Sequence, residues 1–468
     1  MLRVLISFFC FGALVSLVTL TSCKKPVFFS NGNLAFSTDT VMFDTVFTTI
    51  GSTTKNFKFY NNDSRTVAIE QIELMGGSDS PFRINVDGLS GLSFTDIEVE
   101  GNDSLYVFVE VTLDVNASVN PMVIEDSIRF RTNGVDQFVV LTVWGQDAYF
   151  HYKDSNEGVW PNDKPHVIYN YAGVDEDKTL TIQKNTQIYM HKDALLIVYR
   201  GTLNIEGELN EEVTIQGDRL EAEYDDVAGQ FYGIYFQEAR ESKINYCNIK
   251  NGTAGIHVIE DHPANTGYTV TMTNSQITNC ARYGAILYSG AKLEAENCIL
   301  AKNFFHALAV YQADFNLNHC HLLGYSASGE QTPAVGISNV GYDLSTQEYY
   351  YGSINEGAIT NSIIYGDLDQ ELVLDTVYPG TGLTFNFDFR YNLIRSETIQ
   401  SGPEFSNNIW NDDPLFVSPS NGDFLYYSVS PMHEAGSVTI PNNVPESQFI
   451  GIRGIVRTGY DQGAYEIP

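Results

Sequence analysis

Residue types that bind ligands or exchange protons cluster in the middle of this chain. Three aromatic residues lie in or just after short apolar stretches: Tyr235, Tyr288 and Tyr311. Flat aromatic rings suit the apolar faces of sugar rings, so these are the candidate ligand-binding residues. The ionisable residues nearby are Glu238, Arg240, His257 and Glu260. Carboxylates, imidazoles and guanidinium groups can bind cations, move protons or hold anions.

The part of the chain that must position these residues repeats itself. A four-residue unit reads "YCNI", "NSQI", "NCIL" and "HCHL" at residues 246, 274, 297 and 319, with weaker copies at 361 and 391. A second series keeps the same rhythm, with "GIYF", "GIHV", "GAIL", "ALAV" and "VGIS" at residues 233, 255, 284, 307 and 335. Irregular periods in the twenties predict a solenoid with insertions in some turns.

The alternation of side chains slips by one residue inside each unit. Leu293 and Ala295 share one face of a strand, whereas Cys298 and Leu300 are out of phase with them, so the slip falls at Asn297. Strand side chains alternate with period two, so a slip indicates a corner at which the apolar side chains stay inward. Asn tolerates the left-handed conformation that suits such a corner. The same slip recurs at residues 274 and 319.

These features resemble the right-handed parallel β-helices of the pectate-lyase-like family over about residues 175–400. The resemblance rests on periodicity rather than on an invariant motif. An ordinary β-sandwich of short strands is the alternative for this segment.

The flanking segments have patterns of their own. Residues 34–148 contain longer alternating stretches, such as "KNFKFYNND" and "QFVVLTVWGQ", which are typical of a β-sandwich and resemble immunoglobulin-like domains of the major-sperm-protein type. Residues 149–174 are the predicted linker and N-terminal cap. Residues 401–468, with "DPLF", "NGDF" and "GAYE", resemble the terminal segment of secreted β-helix proteins, which implies a C-terminal cap across the open end.

The predicted fold class is therefore all-β. An N-terminal immunoglobulin-like β-sandwich is followed by a right-handed parallel β-helix with a C-terminal cap.

The N-terminus reads as an export signal. Arg3 precedes an apolar run that ends near Leu20, and "LTSC" resembles the bacterial lipobox. The resemblance implies a signal peptide over residues 1–22, acylation (palmitate) of Cys23 and a tether over residues 23–33. An uncleaved anchor is the alternative. Lys24, by analogy with lipoprotein sorting, favours the outer membrane, with the periplasmic or surface-exposed side left open.

Composition excludes one class of partner. The chain has 58 acidic against 26 basic residues, a formal net charge of −32, which excludes a generic nucleic-acid binder. We expect no cofactor. Ca²⁺ is the one candidate ion, although no acidic cluster has the spacing of a calcium loop. "HCH" at residues 319–321 falls on a corner, so we expect no metal there.

The cysteines of the repeats are expected to be core residues. Cys247, Cys298 and Cys320 occupy the same place in successive units, while Cys280 lies elsewhere. Stacked neighbours would be close enough for a disulfide, but their parallel Cβ directions suit the required torsion poorly. We expect reduced thiols and keep a bridge as the alternative.

The resemblance also implies a candidate catalytic set. Pectate-lyase-like enzymes use Ca²⁺-binding carboxylates and a base on an outward wall. The matching residues here are His257 or His262 as base, Glu238 and Glu260 as metal ligands, and Arg240 or Arg282 as partner of a substrate carboxylate. Against this, outward Ile286 and Ala309 make the wall apolar where a lyase needs polar groups.

The outward aromatic residues favour binding over catalysis. Alternation places Tyr288 and Tyr311 one coil apart, with Val340 as the next member of the row and Tyr235 nearby. The alternative is that these rings only cover one another. We therefore predict an outer-membrane-anchored envelope lipoprotein whose β-helix wall serves recognition or scaffolding, with glycan as the candidate ligand and a membrane lipid anchor. An envelope protein is a further candidate partner, and a polysaccharide lyase or glycoside hydrolase is the alternative function.

Overall fold

The computed structural model describes residues 33–48, 51–114, 122–326, 332–343, 347–377, 382–440, 450–451 and 460–466. The chain divides into two compact units, Met1–Asp147 and Ala148–Pro468. Within the described ranges, no helix is both long and apolar enough to cross a membrane. The predicted signal peptide, Cys23 and most of the tether lie outside the described residues.

The first unit is a β-sandwich of two five-stranded sheets that share one apolar core. One sheet contains, in spatial order, Ala35–Phe36, Lys55–Asn61, Asp103–Val111, Phe82–Val86 and Leu89–Gly91. The other contains Thr40–Phe47, Val135–Gln146, Met122–Thr132, Val67–Leu74 and Ser93–Val99. Alternation places Phe57 and Phe59 inward from one sheet and Ile128 and Phe130 inward from the other, all nearly fully buried. This pattern confirms the sandwich that the alternating sequence predicts.

The second unit is a parallel β-helix in which a coil contributes one strand to each of three faces. This architecture confirms the predicted solenoid. Face I is a nine-stranded sheet: Gly158–Trp160, Thr179–Gln183, Thr202–Glu206, Ser242–Asn245, Val270–Thr273, Lys292–Glu296, Asp314–Asn318, Ile354–Thr360 and Phe385–Arg390. Face II follows it along the chain: Gln187–Met190, Val213–Gly217, Cys247–Lys250, Gln276–Thr278, Ile299–Ala301, His321–Leu323, Ile363–Tyr365, Leu393–Ile394 and Ile409–Trp410. Face III completes each coil: Leu195–Tyr199, Gly233–Ala239, Ala254–Asp261, Tyr283–Tyr288, His306–Tyr311, Val335–Ser338 and Leu372–Asp375.

Short elements complete the described part of the second unit. His166–Val174 pairs with Tyr149–Ser155 and begins both faces II and III. Antiparallel pairs join Val340–Asp343 to Glu348–Tyr351 and Phe416–Ser418 to Asp423–Tyr426. Ile450–Gly451 pairs with Tyr465–Glu466 in parallel. The 3-10 helices of the whole described chain are Gly77–Asp79, Ala222–Tyr224, Pro403–Phe405 and Pro419–Asn421.

The corner between faces I and II has the conformation that the phase slip predicts. Asn274, Asn297 and His319 have φ of 51°, 57° and 50°, in the left-handed region. The Asn297 side-chain Nδ2 donates to the side-chain Oδ1 of Asn274, on the coil before it, at 2.5 Å. The corner residue therefore combines a backbone turn with a hydrogen bond between coils.

Just after this corner, inward side chains form a vertical column. The strand registers stack Cys247, Ser275, Cys298, Cys320 and Ser362 on successive coils. The backbone N–H groups of Cys247 and Cys320 donate to Ser275 Oγ at 3.0 Å and Ser362 Oγ at 2.9 Å. Cys247, Cys280, Cys298 and Cys320 are buried free thiols, as expected.

Only the first part of the C-terminal segment lies at the end of the coils, where the cap was expected. Phe405 stacks on Phe389 at 5.5 Å and covers the last coil. The following segment instead lies along the outer side of face II, where Phe424, Tyr426, Met432 and Ala464 bury outward apolar side chains. The apolar outward residues of face II explain this position, because they would otherwise be exposed to water.

Gly463 allows this segment to approach the coils. Its φ is 95°, and a Cβ would lie 2.5 Å from His321 Cε1 and 2.6 Å from Ile363 Cδ1. The next residue, Ala464, donates its N–H to His321 Nδ1 at 2.7 Å. Only glycine fits this point without strain.

Candidate functional site

The predicted aromatic row exists on face III, with one change of register. Tyr288 pairs with Tyr311 on the next coil, but Tyr311 is followed by Ser338 rather than by Val340. Val340 instead begins a hairpin after the strand has ended. The prediction of Val340 in this row was wrong, because the insertion between the units at residues 307 and 335 hides which residue begins the strand.

The rings of this row face each other. Tyr288 and Tyr311 stack with centroids 4.9 Å apart and an interplanar angle of 10°. Together with Tyr283 they cover Ile286 and Ala309, which point outward yet are only 2% and 0% exposed. The ring faces of the predicted binding residues therefore pack against one another and against apolar neighbours. Only the ring edges remain for contact with a ligand.

His257 is enclosed by aromatic side chains. Its Nδ1 lies 2.6 Å from Tyr232 Oη, and its ring is 5.0 Å from Tyr235 and 5.5 Å from Tyr288. Within the described part of the chain, the buried Nε2 atom has no hydrogen-bond partner. Burial lowers the pKa of His257 to about 4, so the ring is neutral and only a weak base near neutral pH.

The other candidate catalytic residues have separate partners. Glu238 pairs with Arg200 at 3.4 Å, and Arg240 pairs with Asp177 at 2.5 Å. Glu260 is exposed and has a left-handed backbone, with φ of 58°. The structure therefore does not assemble these groups around His257. Among the described residues, no group of three or more His, Cys, Asp or Glu side chains could hold a metal ion.

A polar cleft of about 460 Å³ lies on face I, which the sequence did not single out. The outward row of strand positions runs Glu294, Asn316, Ala358 and Asp388 on successive coils. Ala358 is the small member of this row, so the wall is hollow at that coil. The lining residues are Glu294, Ala295, Glu296, Asn316, Asn318, Asn355, Glu356, Gly357, Ala358, Thr360, Asn386, Phe387, Asp388, Arg390, Thr439 and Ile440.

A tyrosine from a loop three coils away borders the cleft. Tyr268 donates from Oη to Glu356 Oε1 at 2.8 Å and accepts from Asn316 Nδ2 at 3.2 Å. A Cβ on Gly357 would lie 2.7 Å from Phe387 Cδ1, so this glycine lets the Phe387 ring close against the strand. These contacts fix the walls of the cleft on rigid strands.

The electrostatics of the cleft are dominated by carboxylates. Burial raises the pKa of Glu294, and the negative charge of Glu356 raises it further, against a hydrogen bond from Thr271. Arg390 holds Asp388 through two hydrogen bonds of 2.5 and 2.6 Å. The one guanidinium of the lining is therefore already neutralised by a neighbour.

Part of this site was visible in the sequence. The alternation that places Leu293 and Ala295 inward also places Glu294 and Glu296 outward, and the same holds for Asn316 and Asn318 one coil later. Most of the remaining lining residues lie near the end of the long interval between the units at residues 319 and 361 or after it, where the rhythm alone does not give the register. The Tyr268–Glu356 contact spans 88 residues and has no local signal.

Comparison with known proteins agrees with the fold. A family model described as a right handed beta helix region matches residues 210–364. No curated protein matches the sequence.

Three solved structures resemble parts of the chain at low scores. A family 123 glycoside hydrolase from Clostridium perfringens shares 8% identity over 26% of this chain and 30% of its own, with a TM-score of 0.18. A PapD-like domain of human CEP192 shares 9% over 27% and 94%, with a TM-score of 0.18. The catalytic domain of a GH87 alpha-1,3-glucanase in complex with nigerose shares 11% over 73% and 81%, with a TM-score of 0.19. This chain spans less than a third of the first of them, and TM-scores this low carry no argument about function.

Proposed function

We propose that the β-helix is a recognition wall for saccharide and that the face I cleft is its main binding site. The observation that carries this proposal is a cleft of about 460 Å³ lined by amide and carboxylate side chains on rigid strands. Saccharide hydroxyls both donate and accept hydrogen bonds, and such planar polar side chains match them. Preorganised polar groups bind at a low entropic cost.

The contacts on face III favour recognition over catalysis. His257 is a half-buried weak base, and Glu238 and Arg240 are held by ion pairs elsewhere. The edges of Tyr288 and Tyr311 remain proposed accessory contacts for a long ligand, with Tyr235 beside them. Ca²⁺ remains a candidate ion for the acidic surface rather than part of this proposal.

A binding experiment with matched variants tests the site. The purified full chain is screened against neutral, acidic and amine-bearing oligosaccharides by calorimetry. Ala358→Leu fills the cleft without changing a charge and is expected to abolish binding, while Tyr311→Ala on face III is expected to leave most of it. Binding lost only in Tyr311→Ala would move the site to face III. Absence of binding by every saccharide would refute the recognition proposal.

The same incubations test the enzymatic alternative, a polysaccharide lyase or glycoside hydrolase. New unsaturated or reducing ends that disappear in His257→Ala or Glu260→Ala would replace recognition by catalysis. We expect no such product.

The proposed setting is the bacterial outer membrane. The "LTSC" motif supports a lipid anchor on Cys23, and the N-terminal sandwich, which follows the tether in the chain, would then be an immunoglobulin-like spacer. Labelled palmitate should be incorporated into the wild-type chain and not into Cys23→Ser. Recovery of the unlabelled wild-type chain in the soluble fraction would contradict the anchor.

A further inference from the structure

Several donors around the face I cleft already bond to its own acceptors. Asn318 Nδ2 donates to Glu296 Oε1 at 3.1 Å, and Asn386 Nδ2 donates to the Asn355 backbone oxygen at 2.9 Å. Asn316 donates to Tyr268, and Arg390 donates to Asp388, as described above. These side chains therefore already use part of their donor capacity within the cleft, while the side-chain amide of Asn355 is exposed.

The acceptors are in excess. Among the described residues, the half-buried Glu294 carboxylate accepts one hydrogen bond, from Thr271 Oγ1 at 3.4 Å. Glu356 accepts from Tyr268 through one oxygen. A carboxylate offers about four lone-pair sites, so both groups can accept several further hydrogen bonds.

Charge points in the same direction. Four carboxylates and one guanidinium line the cleft, which leaves a formal charge of −3 when all are ionised. Each charge lies on a strand or beside one, so the groups cannot easily move apart. An anionic ligand such as a uronic acid would be repelled, and a ligand without charge would leave the carboxylates poorly compensated.

We propose that the face I cleft selects an amine-bearing saccharide and seats its ammonium group between Glu294 and Glu356. This inference rests on the proposed function and deepens it by naming the ligand class. An ammonium group has three donors and no acceptor, which complements the spare carboxylate acceptors and the negative charge of the cleft. Its hydrogen bonds to carboxylates are charge-assisted and therefore stronger than those of a hydroxyl.

The test compares sugars that differ only at the amine. The full chain is titrated with a glucosamine oligomer and with its N-acetylated counterpart, at a mildly acidic pH where the amine is protonated. Acetylation removes the charge and two donors, so we expect about 10- to 100-fold weaker binding of the acetylated oligomer. Binding of the glucosamine oligomer should also weaken as salt is raised.

Matched variants separate charge from shape. Glu294→Gln keeps the shape and removes one charge, and it should weaken glucosamine binding about tenfold or more while leaving the acetylated oligomer nearly unaffected. Lys243→Gln, an exposed position two coils below Glu294 in the same row, serves as a control outside the cleft and should change little. Circular dichroism verifies that each variant is folded.

The outcomes distinguish this inference from the proposed function. Equal binding of the two oligomers, lost in Ala358→Leu, would overturn the amine preference and keep the saccharide site. Preferential binding of tetralysine over both oligomers would overturn the saccharide class and leave a site for basic peptides. Lack of binding by every saccharide tested would overturn both proposals.

Discussion

The corner between faces I and II offers a quantitative test of the coil. Asn297 is fully buried, adopts φ of 57° and donates its amide to Asn274. Two substitutions separate these contributions. Asn297→Gly removes the amide and keeps the left-handed conformation accessible, whereas Asn297→Ala removes the amide and also strains the backbone.

The magnitudes follow from the two terms. Loss of the amide leaves a buried acceptor on Asn274 without this donor, which costs about 1–3 kcal/mol. In the Ala variant, the left-handed backbone adds a strain of about 1–2 kcal/mol. In the Gly variant, the greater loss of chain entropy on folding adds about 0.5–1 kcal/mol instead. We therefore expect Asn297→Gly to destabilise the β-helix by about 1.5–4 kcal/mol and Asn297→Ala by about 0.5–1 kcal/mol beyond that.

Equilibrium unfolding of the full chain in urea measures these differences through the transition of the β-helix. Asn248→Ala is the matched control, because Asn248 is an outward residue within a strand and has no left-handed backbone. It should change the free energy of unfolding by less than about 0.5 kcal/mol. Equal stabilities of the Gly and Ala variants, or a cost no larger than that of the control, would refute the account of the corner.

Three further outcomes follow from burial. Burial lowers the pKa of His321 to about 3 and of His319 to about 4, below the unfolded value of about 6.5. As the pH falls, the unfolded chain therefore binds these protons before the folded chain does, so the free energy of unfolding should decrease from about pH 6.5 towards pH 4. We expect a shallower decrease in His321→Asn, and an unchanged slope in that variant would contradict the assignment. The four cysteines of the β-helix should react with a thiol reagent only after denaturation, and fast reaction in the native state would contradict their burial. Phe315→Ala, at a fully buried position against Phe389, should cost about 3–5 kcal/mol in urea unfolding, and a cost under 1 kcal/mol would exclude a well-packed interior there.

The coil could be predicted from local sequence, because the strands and the corner of each coil leave a pattern in its own residues. The phase slip at Asn297 and the inward alternation of Leu293 and Ala295 depend only on the two-residue period of a strand and on the conformations that Asn tolerates. The column of Cys298 and Cys320 follows at once, since stacked coils place equivalent positions above one another. The β-sandwich was likewise readable from alternation.

The register between strands on either side of an insertion could not be predicted from the sequence. Tyr311 pairs with Ser338 and not with Val340, because an insertion moves the start of a strand without changing its local pattern. The same difficulty hid Ala358, whose small side chain makes the hollow in face I. A cleft is a property of several coils at once, so no single repeat contains it.

The candidate site shows most clearly which features the sequence determines and which depend on tertiary structure. The sequence by itself determined a parallel β-helix, its corner residues and its buried thiols, because these depend on backbone periodicity and hydrophobic burial. Tertiary structure alone decided that Glu238 and Arg240 turn to Arg200 and Asp177, and that Tyr268 reaches Glu356 across 88 residues. Side-chain partners are chosen by three-dimensional proximity between coils, and that proximity depends on insertions whose lengths follow no period.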